Sequence, residues 1–344
     1  MVKWLDGSCI DEDVVISSRI RVARNIDKYE FPNFISLSAA DLLTEEVLNA
    51  MKECEENNKY NFFRIRDLTP RERLGYIEEH LISPNLIQKT DKSSFLLRDD
   101  ERATIMINEE DHLRIQTLLT GLNLKECWEI CSGIDDAIES KIDYAFHEKY
   151  GYLTSCPTNV GTGLRASVMV HLPCVFMTGQ INTIVEALRK IGLTVRGIYG
   201  EGSEALGHLY QISNQTTIGE SEEEIIDKLN KIIFQVIARE RFTRKNLMER
   251  KEIEIEDKVY RSLGILTHSR LISSKEAMNH LSNVKLGWEM GIIKEYNLKG
   301  IVKLMVGIQP ATIQKDNDNK GMTKEERDKT RAEIIREFIT KVEG

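Results

Sequence analysis

The sequence has no run of about 18 apolar residues, which excludes a membrane-spanning helix. Its start lacks a basic stretch followed by an apolar one, so no secretory signal is expected. Glycine (21) and proline (6) are not enriched among the 344 residues, which argues against fibrous and disordered classes. Cysteine is scarce: Cys9, Cys54, Cys127, Cys131, Cys156 and Cys174. No C-x-x-C pair exists, so no zinc framework is expected and most of these thiols should be reduced and buried. Internal repeats and low-complexity tracts are also lacking. No G-x-x-x-x-G-K-[ST] loop occurs, and no HRD or DFG triplet, which sets aside P-loop and protein-kinase patterns.

What is present suits a large folded unit and a smaller one. The chain is 41% hydrophobic and 30% charged, with a formal net charge of -8. That allows two cores and argues against a general nucleic-acid partner. A cytoplasmic protein with neither membrane nor nucleic acid as partner is the simplest expectation. Helical spacing marks 42–54 (behind a cap at Ser38), 110–119, 132–145, 181–191 and 221–242. Extended patterns mark 103–107, 151–153, 167–171, 195–198 and 208–213. The mixture predicts an α+β domain with a mixed or antiparallel sheet flanked by helices. Its end is expected near 245, in the charged stretch 241–251. From 246 to 344 the periodicity is helical (252–267, 274–289, 298–307, 323–342), which predicts a small all-α C-terminal domain. Pro310 stops the third of these helices, and Thr323 with Glu326 forms a capping box for the last.

Four segments concentrate arginine, glycine and carboxylate: Ser17-Ser18-Arg19-Ile20-Arg21, Asn108 to Arg114 (NEEDHLR), Cys156 to Arg165 (CPTNVGTGLR), and Arg196 to Glu201 (RGIYGE). Arg19 and Arg21 alternate, so on a strand both point to one face. Arginine forks bind phosphate oxygens bidentately without losing their proton. The glycines of the third segment can bring backbone N–H groups close to an anion. Together these sketch a nucleotide site. Singly, each segment reads better as solvated surface or an ordinary turn.

In order and in detail the four segments resemble the phosphagen kinase family, the ATP:guanidino phosphotransferases. The stretch Tyr210 to Gly219 (YQISNQTTIG) also looks like that family, and the resemblance spans residues 14 to 240. It implies a phosphate cage of Arg19, Arg21, Arg114, Arg165 and Arg196 around ATP with Mg²⁺ carried by the nucleotide, with no metal held by the protein itself. It implies that the backbones of Ala166, Ser167, Val168 and Met169, and of Gly197, Ile198, Tyr199 and Gly200, lie along the nucleotide. The family often has a histidine where Met169 stands. His80 is either a nucleotide contact or a loop histidine. Glu110 and Glu201 match the family's guanidinium-binding carboxylates, and the chemistry needs them. A guanidinium with a pKa above about 12 has no free lone pair, so carboxylates must aim one nitrogen and take its proton. Cys156 matches the family's reactive cysteine, in a supporting role.

Two departures point within that family to the protein arginine kinases (the McsB family). The helical domain that usually precedes SSRxR is expected to be missing, which would open the guanidinium pocket to an arginine of another protein. The helical C-terminal domain is foreign to the small-molecule enzymes. Within it, Arg327-Asp328-Lys329-Thr330-Arg331-Ala332 has the form RDxxRA. Arg327 and Arg331 are i, i+4 neighbours, and the resemblance assigns Arg327, Asp328, Arg331 and Ala332 to phosphoarginine binding. It further implies protein substrates with accessible arginine, an activator protein, a stress-gene repressor, Clp protease machinery and a homodimer. The competing readings are a kinase for free guanidino compounds and a non-catalytic phosphoarginine-binding adaptor.

Overall fold

A computed structural model describes residues 2–7, 11–52, 60–199, 205–315 and 321–340. In chain order the elements are β1 (Val15–Arg24), α1 (Leu37–Lys52), β2 (Tyr60–Arg64), α2 (Pro70–Glu78), β3 (Ser94–Arg98), β4 (Ala103–Ile107), β5 (Leu113–Thr120), α3 (Leu124–Glu139), β6 (Phe146–His147), β7 (Gly151–Tyr152), β8 (Leu164–His171), α4 (Pro173–Met177), α5 (Ile181–Lys190), β9 (Leu193–Tyr199), β10 (Ala205–Asn214), α6 (Glu222–His268), α7 (Ser274–Glu289), α8 (Ile301–Gly307) and α9 (Lys324–Thr340).

Eight strands form one sheet in the order β2-β3-β4-β5-β1-β8-β10-β9. Every pairing is antiparallel. Because side chains alternate along a strand, β1 sends Ile20 and Val22 to one face and Arg19 and Arg21 to the other. The first face packs with Ile115, Leu164, Ala166, Val168 and Ile212 against α1, α3, α5 and the first half of α6, forming the main core. A second core joins α7, α8, α9 and the far half of α6 to Ile16, Met169, Ile198 and Leu209 of the sheet. A third gathers Trp4, Leu81, Phe95 and Met106 with Val306. Among the described residues no helix is long and apolar enough to cross a membrane.

The α+β class and the helical C-terminal region are as read from the sequence. Three local expectations change, the first being the helix read at 132–145, which begins earlier and ends sooner as α3 (Leu124–Glu139). Residues 110–119 are not a helix: Asn108 turns the chain at φ 58° and 113–120 form β5. The α1 helix is capped by Ser36, whose Oγ accepts from the Ala39 N–H at 3.2 Å, rather than by Ser38. The capping boxes Ser221/Glu224 on α6 and Thr323/Glu326 on α9 are both closed. The expected domain boundary at 245 falls inside α6, which runs 47 residues and kinks at Lys251 (φ -144°, ψ 34°).

Candidate active site

Four strands of the sheet bring five arginines to the face opposite the main core: Arg19 and Arg21 on β1, Arg114 on β5, Arg165 on β8 and Arg196 on β9. Register fixes their relation: Arg21 on β1 stands opposite Arg165 on β8, Ala23 opposite Arg114 on β5, and Gln211 on β10 opposite Arg196 on β9. All five cage arginines line one cleft of about 350 Å³, together with Ser83, Asn85, Glu110, Cys156, Thr158 and Gln211. Arg19 donates to Gln211 Oε1 (2.7 Å), and Arg165 donates to Ser213 Oγ (3.1 Å).

The electrostatics are one-sided. Among the described residues, Arg19, Arg21, Arg165 and Arg196 have no ion-pair partner; only Arg114 is paired, to Glu109 (2.6 Å) and Glu110 (3.5 Å). Burial, followed by the charges of Arg114 and Arg165, pushes Arg19 down to about 10. Burial and the charges of Arg19, Arg114 and Arg165 hold Arg21 well below the usual guanidinium range. The Nε atoms of Arg21 and Arg165 are buried with no hydrogen-bond partner. Buried donors without acceptors and clustered like charges are each costly. A polyanion placed among them would answer both, so the residues present fit a nucleotide triphosphate.

Glu109 and Glu110 divide by position. Glu109 is buried and accepts from Ser83 Oγ (2.5 Å), Arg114 Nη1 (2.6 Å) and the Glu110 N–H (2.6 Å). Glu110 faces the cleft with its side chain 36% exposed. Burial raises its carboxyl above the usual range, against the lowering effect of Arg114. The hairpin that carries both is pinned by the next two residues. Asp111 Oδ1 accepts from Asn25 Nδ2 (2.7 Å) and the Ser155 N–H (2.6 Å). His112 Nδ1 accepts from the Ile26 N–H (3.0 Å), leaving Nε2–H to donate to the Glu30 carbonyl (2.9 Å).

The glycine segment serves close packing. A Cβ on Gly163 (φ 66°) would sit 2.6 Å from the Ala23 carbonyl oxygen, and one on Gly161 (φ 112°) 2.3 Å from that of Thr217. The N–H groups of Gly161, Thr162 and Leu164 are bonded to Tyr152 O, Thr217 O and Thr162 Oγ1. This loop buttresses Arg24, which the sequence reading passed over. Arg24 pairs with Asp135 (2.6 Å), donates to the Ala23 and Thr162 carbonyls and lies 3.5 Å over the Tyr152 ring. Cys156 follows on the same loop, its Sγ 3.0 Å from Thr158 Oγ1.

The other expected site residues are distributed. Ser17 pairs with Met169 and Thr120. Ser18 is buried, donating to the Gly121 carbonyl and accepting from the Asn123 N–H. Ile20, Ala166 and Val168 point into the main core, whereas Ser167 stands beside Arg19. Met169 joins the second core. Gly197, Ile198 and Tyr199 close β9; Gly200 and Glu201 lie outside the described residues. His80 is half-buried at φ 63°, near enough to Arg19 for that charge to act with burial in pushing it down to about 3. The RDxxRA segment begins α9. Arg331 is 1% exposed and donates to the Ile308 and Ile272 carbonyls (both 2.9 Å) and to Asp328 (2.5 Å). Ala332 is buried, and Arg327 donates to the Met322 carbonyl (2.8 Å). Arg331 is thus held in place by two backbone carbonyls and by Asp328. Gln211 and the Ser83–Asn85 wall were not singled out beforehand; a polar residue alternating with apolar ones on β10 was the available signal for Gln211.

The profile of the ATP:guanido phosphotransferase C-terminal catalytic domain matches residues 42–243, and that of the protein-arginine kinase McsB C-terminal domain matches 252–344. The chain is 48% identical to a protein-arginine kinase of Halalkalibacterium halodurans, over 97% of this chain and 94% of that one. It is 50% identical to one of Halothermothrix orenii, over 97% and 95%. Among solved structures, lombricine kinase superposes with a TM-score of 0.60 at 27% identity over 69% of each chain. The duplicated taurocyamine kinase of Schistosoma mansoni shares the fold, with a TM-score of 0.63 at 19% identity over 75% of this chain and 38% of that one. The chain belongs to the protein-arginine kinase family of ATP:guanido phosphotransferases.

Proposed function

We propose that this protein transfers the γ-phosphoryl group of ATP to arginine side chains of other proteins, using Glu110 and Glu201 to hold the guanidinium and the five-arginine face to hold the phosphates. The observation that carries this is the convergence of Arg19, Arg21, Arg114, Arg165 and Arg196 on one cleft wall beside Glu110. Phosphoryl transfer asks mainly for positioning and charge neutralisation. The forks of Arg21 and Arg165, with their unpartnered Nε donors, would bind phosphate oxygens and keep them dry. Mg²⁺ would come with the nucleotide, as the family resemblance implies.

Glu110 supplies the proton acceptor. Burial raises its affinity for a proton, the direction a general base at neutral pH needs. It takes the proton from the guanidinium nitrogen as that nitrogen forms the N–P bond, while the arginines hold the charge left on the departing diphosphate. Glu201, placed by the resemblance, would grip the second edge of the planar cation. Cys156, which lines the cleft together with Arg165, supports substrate orientation.

Regulation and partners extend the same reading. Arg327, Asp328, Arg331 and Ala332 form a phosphoarginine-reading element, supported by the clustering of two guanidinium groups and a carboxylate at the start of α9. An activator protein, a stress-gene repressor, Clp protease machinery and a homodimeric state complete the proposal, on family resemblance. The deciding experiment for the reaction is incubation of the full chain with Mg-ATP and either a model protein or free arginine, with mass spectrometry kept free of acid. Phosphoarginine on the protein supports the reading; turnover on free arginine alone overturns it.

A further inference from the structure

The cleft wall at Ser83–Asn85 is held from an unexpected direction. Glu78 ends α2, two residues before His80 and five before Ser83. Its carboxylate accepts hydrogen bonds from a segment 233 and 234 residues away: the Ala311 N–H (2.9 Å to Oε1, 2.8 Å to Oε2), the Thr312 N–H (2.7 Å to Oε2) and the Thr312 hydroxyl (3.0 Å to Oε2). Lys315 tightens the same clasp, pairing with Glu79 and lying 5.0 Å from the Tyr76 ring centre. A Cβ at Gly75 would come within 2.8 Å of the Lys315 side chain.

From Glu78 a continuous chain of contacts reaches the cleft. Gln116, opposite Arg21 on the sheet, donates to the carbonyls of His80 (2.9 Å) and Leu81 (3.3 Å). Ser83 Oγ donates to Glu109 and accepts from the Leu86 N–H (3.2 Å). Glu109 in turn holds Arg114 and the Glu110 N–H. Ser83, Pro84 and Asn85 line the cleft itself. The segment 78–85 is thus anchored at one end by residues 311–315 and at the other by the bracket that orients Glu110 and Arg114.

We infer that Glu78 is a positioning residue, through which the C-terminal helical region sets the Ser83–Asn85 wall and, by way of Glu109, the placement of Glu110 and Arg114. The inference rests on the proposed reaction, which makes Glu110 and Arg114 the groups to be placed. It gives the C-terminal region a part in the cleft's geometry. Charge-assisted bonds of this kind are strong and directional, and misplacing a reacting group by about 1 Å costs on the order of a hundredfold in rate.

The test uses the full chain with Glu78→Gln, which keeps the size but replaces an acceptor by an amide donor facing N–H groups. Lys303→Met is the control, breaking the Lys303–Asp6 pair between the same two regions. Expected for Glu78→Gln are a native circular dichroism spectrum, ADP affinity within about threefold of wild type, and a roughly ten- to hundredfold lower kcat for protein-arginine phosphorylation. Hydrogen exchange should quicken in the peptide covering 79–88. Lys303→Met should change neither kcat nor that exchange. If Glu78→Gln fails to fold, Thr312→Val removes only the hydroxyl bond and should give a smaller loss in the same direction, with the same exchange signature. Wild-type kcat and exchange in the folded Glu78→Gln or Thr312→Val variant, or an equal loss in Lys303→Met, overturns the inference. A wild type that phosphorylates no arginine defeats the proposed reaction instead, and the exchange result alone then decides the clasp.

Discussion

Replacing Arg21 by methionine should stabilise the protein in the absence of nucleotide and abolish its response to ADP. Arg21 stands among Arg19, Arg114 and Arg165, its Nε buried without an acceptor. Burial and the neighbouring guanidinium charges lower its folded-state pKa, so holding it charged carries a penalty. A buried unpaired donor costs about 1–3 kcal/mol, and methionine fills a similar stem without charge. Unfolding entropy of roughly 2.1 cal/mol/K per residue amounts to about 0.7 kcal/mol/K for this chain, which converts that gain into a rise in Tm of about 1.5–4 °C. Wild type, at ADP a hundredfold above Kd, gains about 2.7 kcal/mol, or close to 4 °C on the same conversion. Differential scanning calorimetry with and without Mg-ADP reads both. A lower Tm in the nucleotide-free variant, or an ADP shift equal to wild type, refutes the claim that the cleft's charge is uncompensated and waiting for a polyanion.

Other perturbations test the scaffold. Asp135→Ala leaves Arg24 buried with carbonyls and the Tyr144 and Tyr152 rings as partners; unfolding in urea should show a loss of about 3–5 kcal/mol. Gly163→Ala forces a Cβ at φ 66° onto the Ala23 carbonyl and should cost about 2–3 kcal/mol by the same measurement. Burial pushes His112 and His208 down to about 4. A depressed histidine favours folding in its neutral form, so its contribution is complete above about pH 6.5 and is lost as pH falls towards 4. Urea midpoints should decline across that window, by up to about 1.4 kcal/mol per pH unit for each group. His208→Asn, tolerated at the positive φ of 55° because asparagine accepts that conformation, should flatten the slope.

Much of the site was legible because strand alternation is a local rule. Arg19 and Arg21 share a face by spacing alone, and a residue-level resemblance brought in Arg114, Arg165 and Arg196, which register then lines up on the same face from β5, β8 and β9. The helix expected at 110–119 shows where the rule fails. Strand β5 is buried on both faces, with only Arg114 and Thr120 partly exposed, so its apolar residues do not alternate and fit a helical spacing as well. The acidic run Glu109-Glu110-Asp111 adds a false helix start, because carboxylates are favoured there. The role of Arg331 was hidden for another reason. Its partners, the carbonyls of Ile272 and Ile308, are backbone atoms that no side-chain motif announces. The Glu78 clasp, spanning 233 residues, is equally invisible to patterns within one segment. Gly161 and Gly163 were noticed, yet their purpose depends on what passes beside them: the Thr217 carbonyl and Ala23.

The most direct measurement is single-turnover transfer from Mg-ATP to a protein arginine by Glu110→Gln, set beside its ADP affinity. Glutamine keeps the shape of the cleft-facing side chain and removes the proton acceptor. The rate of N–P bond formation should fall by about 10²–10⁴, while ADP binds within about threefold of wild type, because the arginines that hold it are untouched. Transfer at the wild-type rate in this variant would contradict the assignment of Glu110 as the group that frees the guanidinium nitrogen.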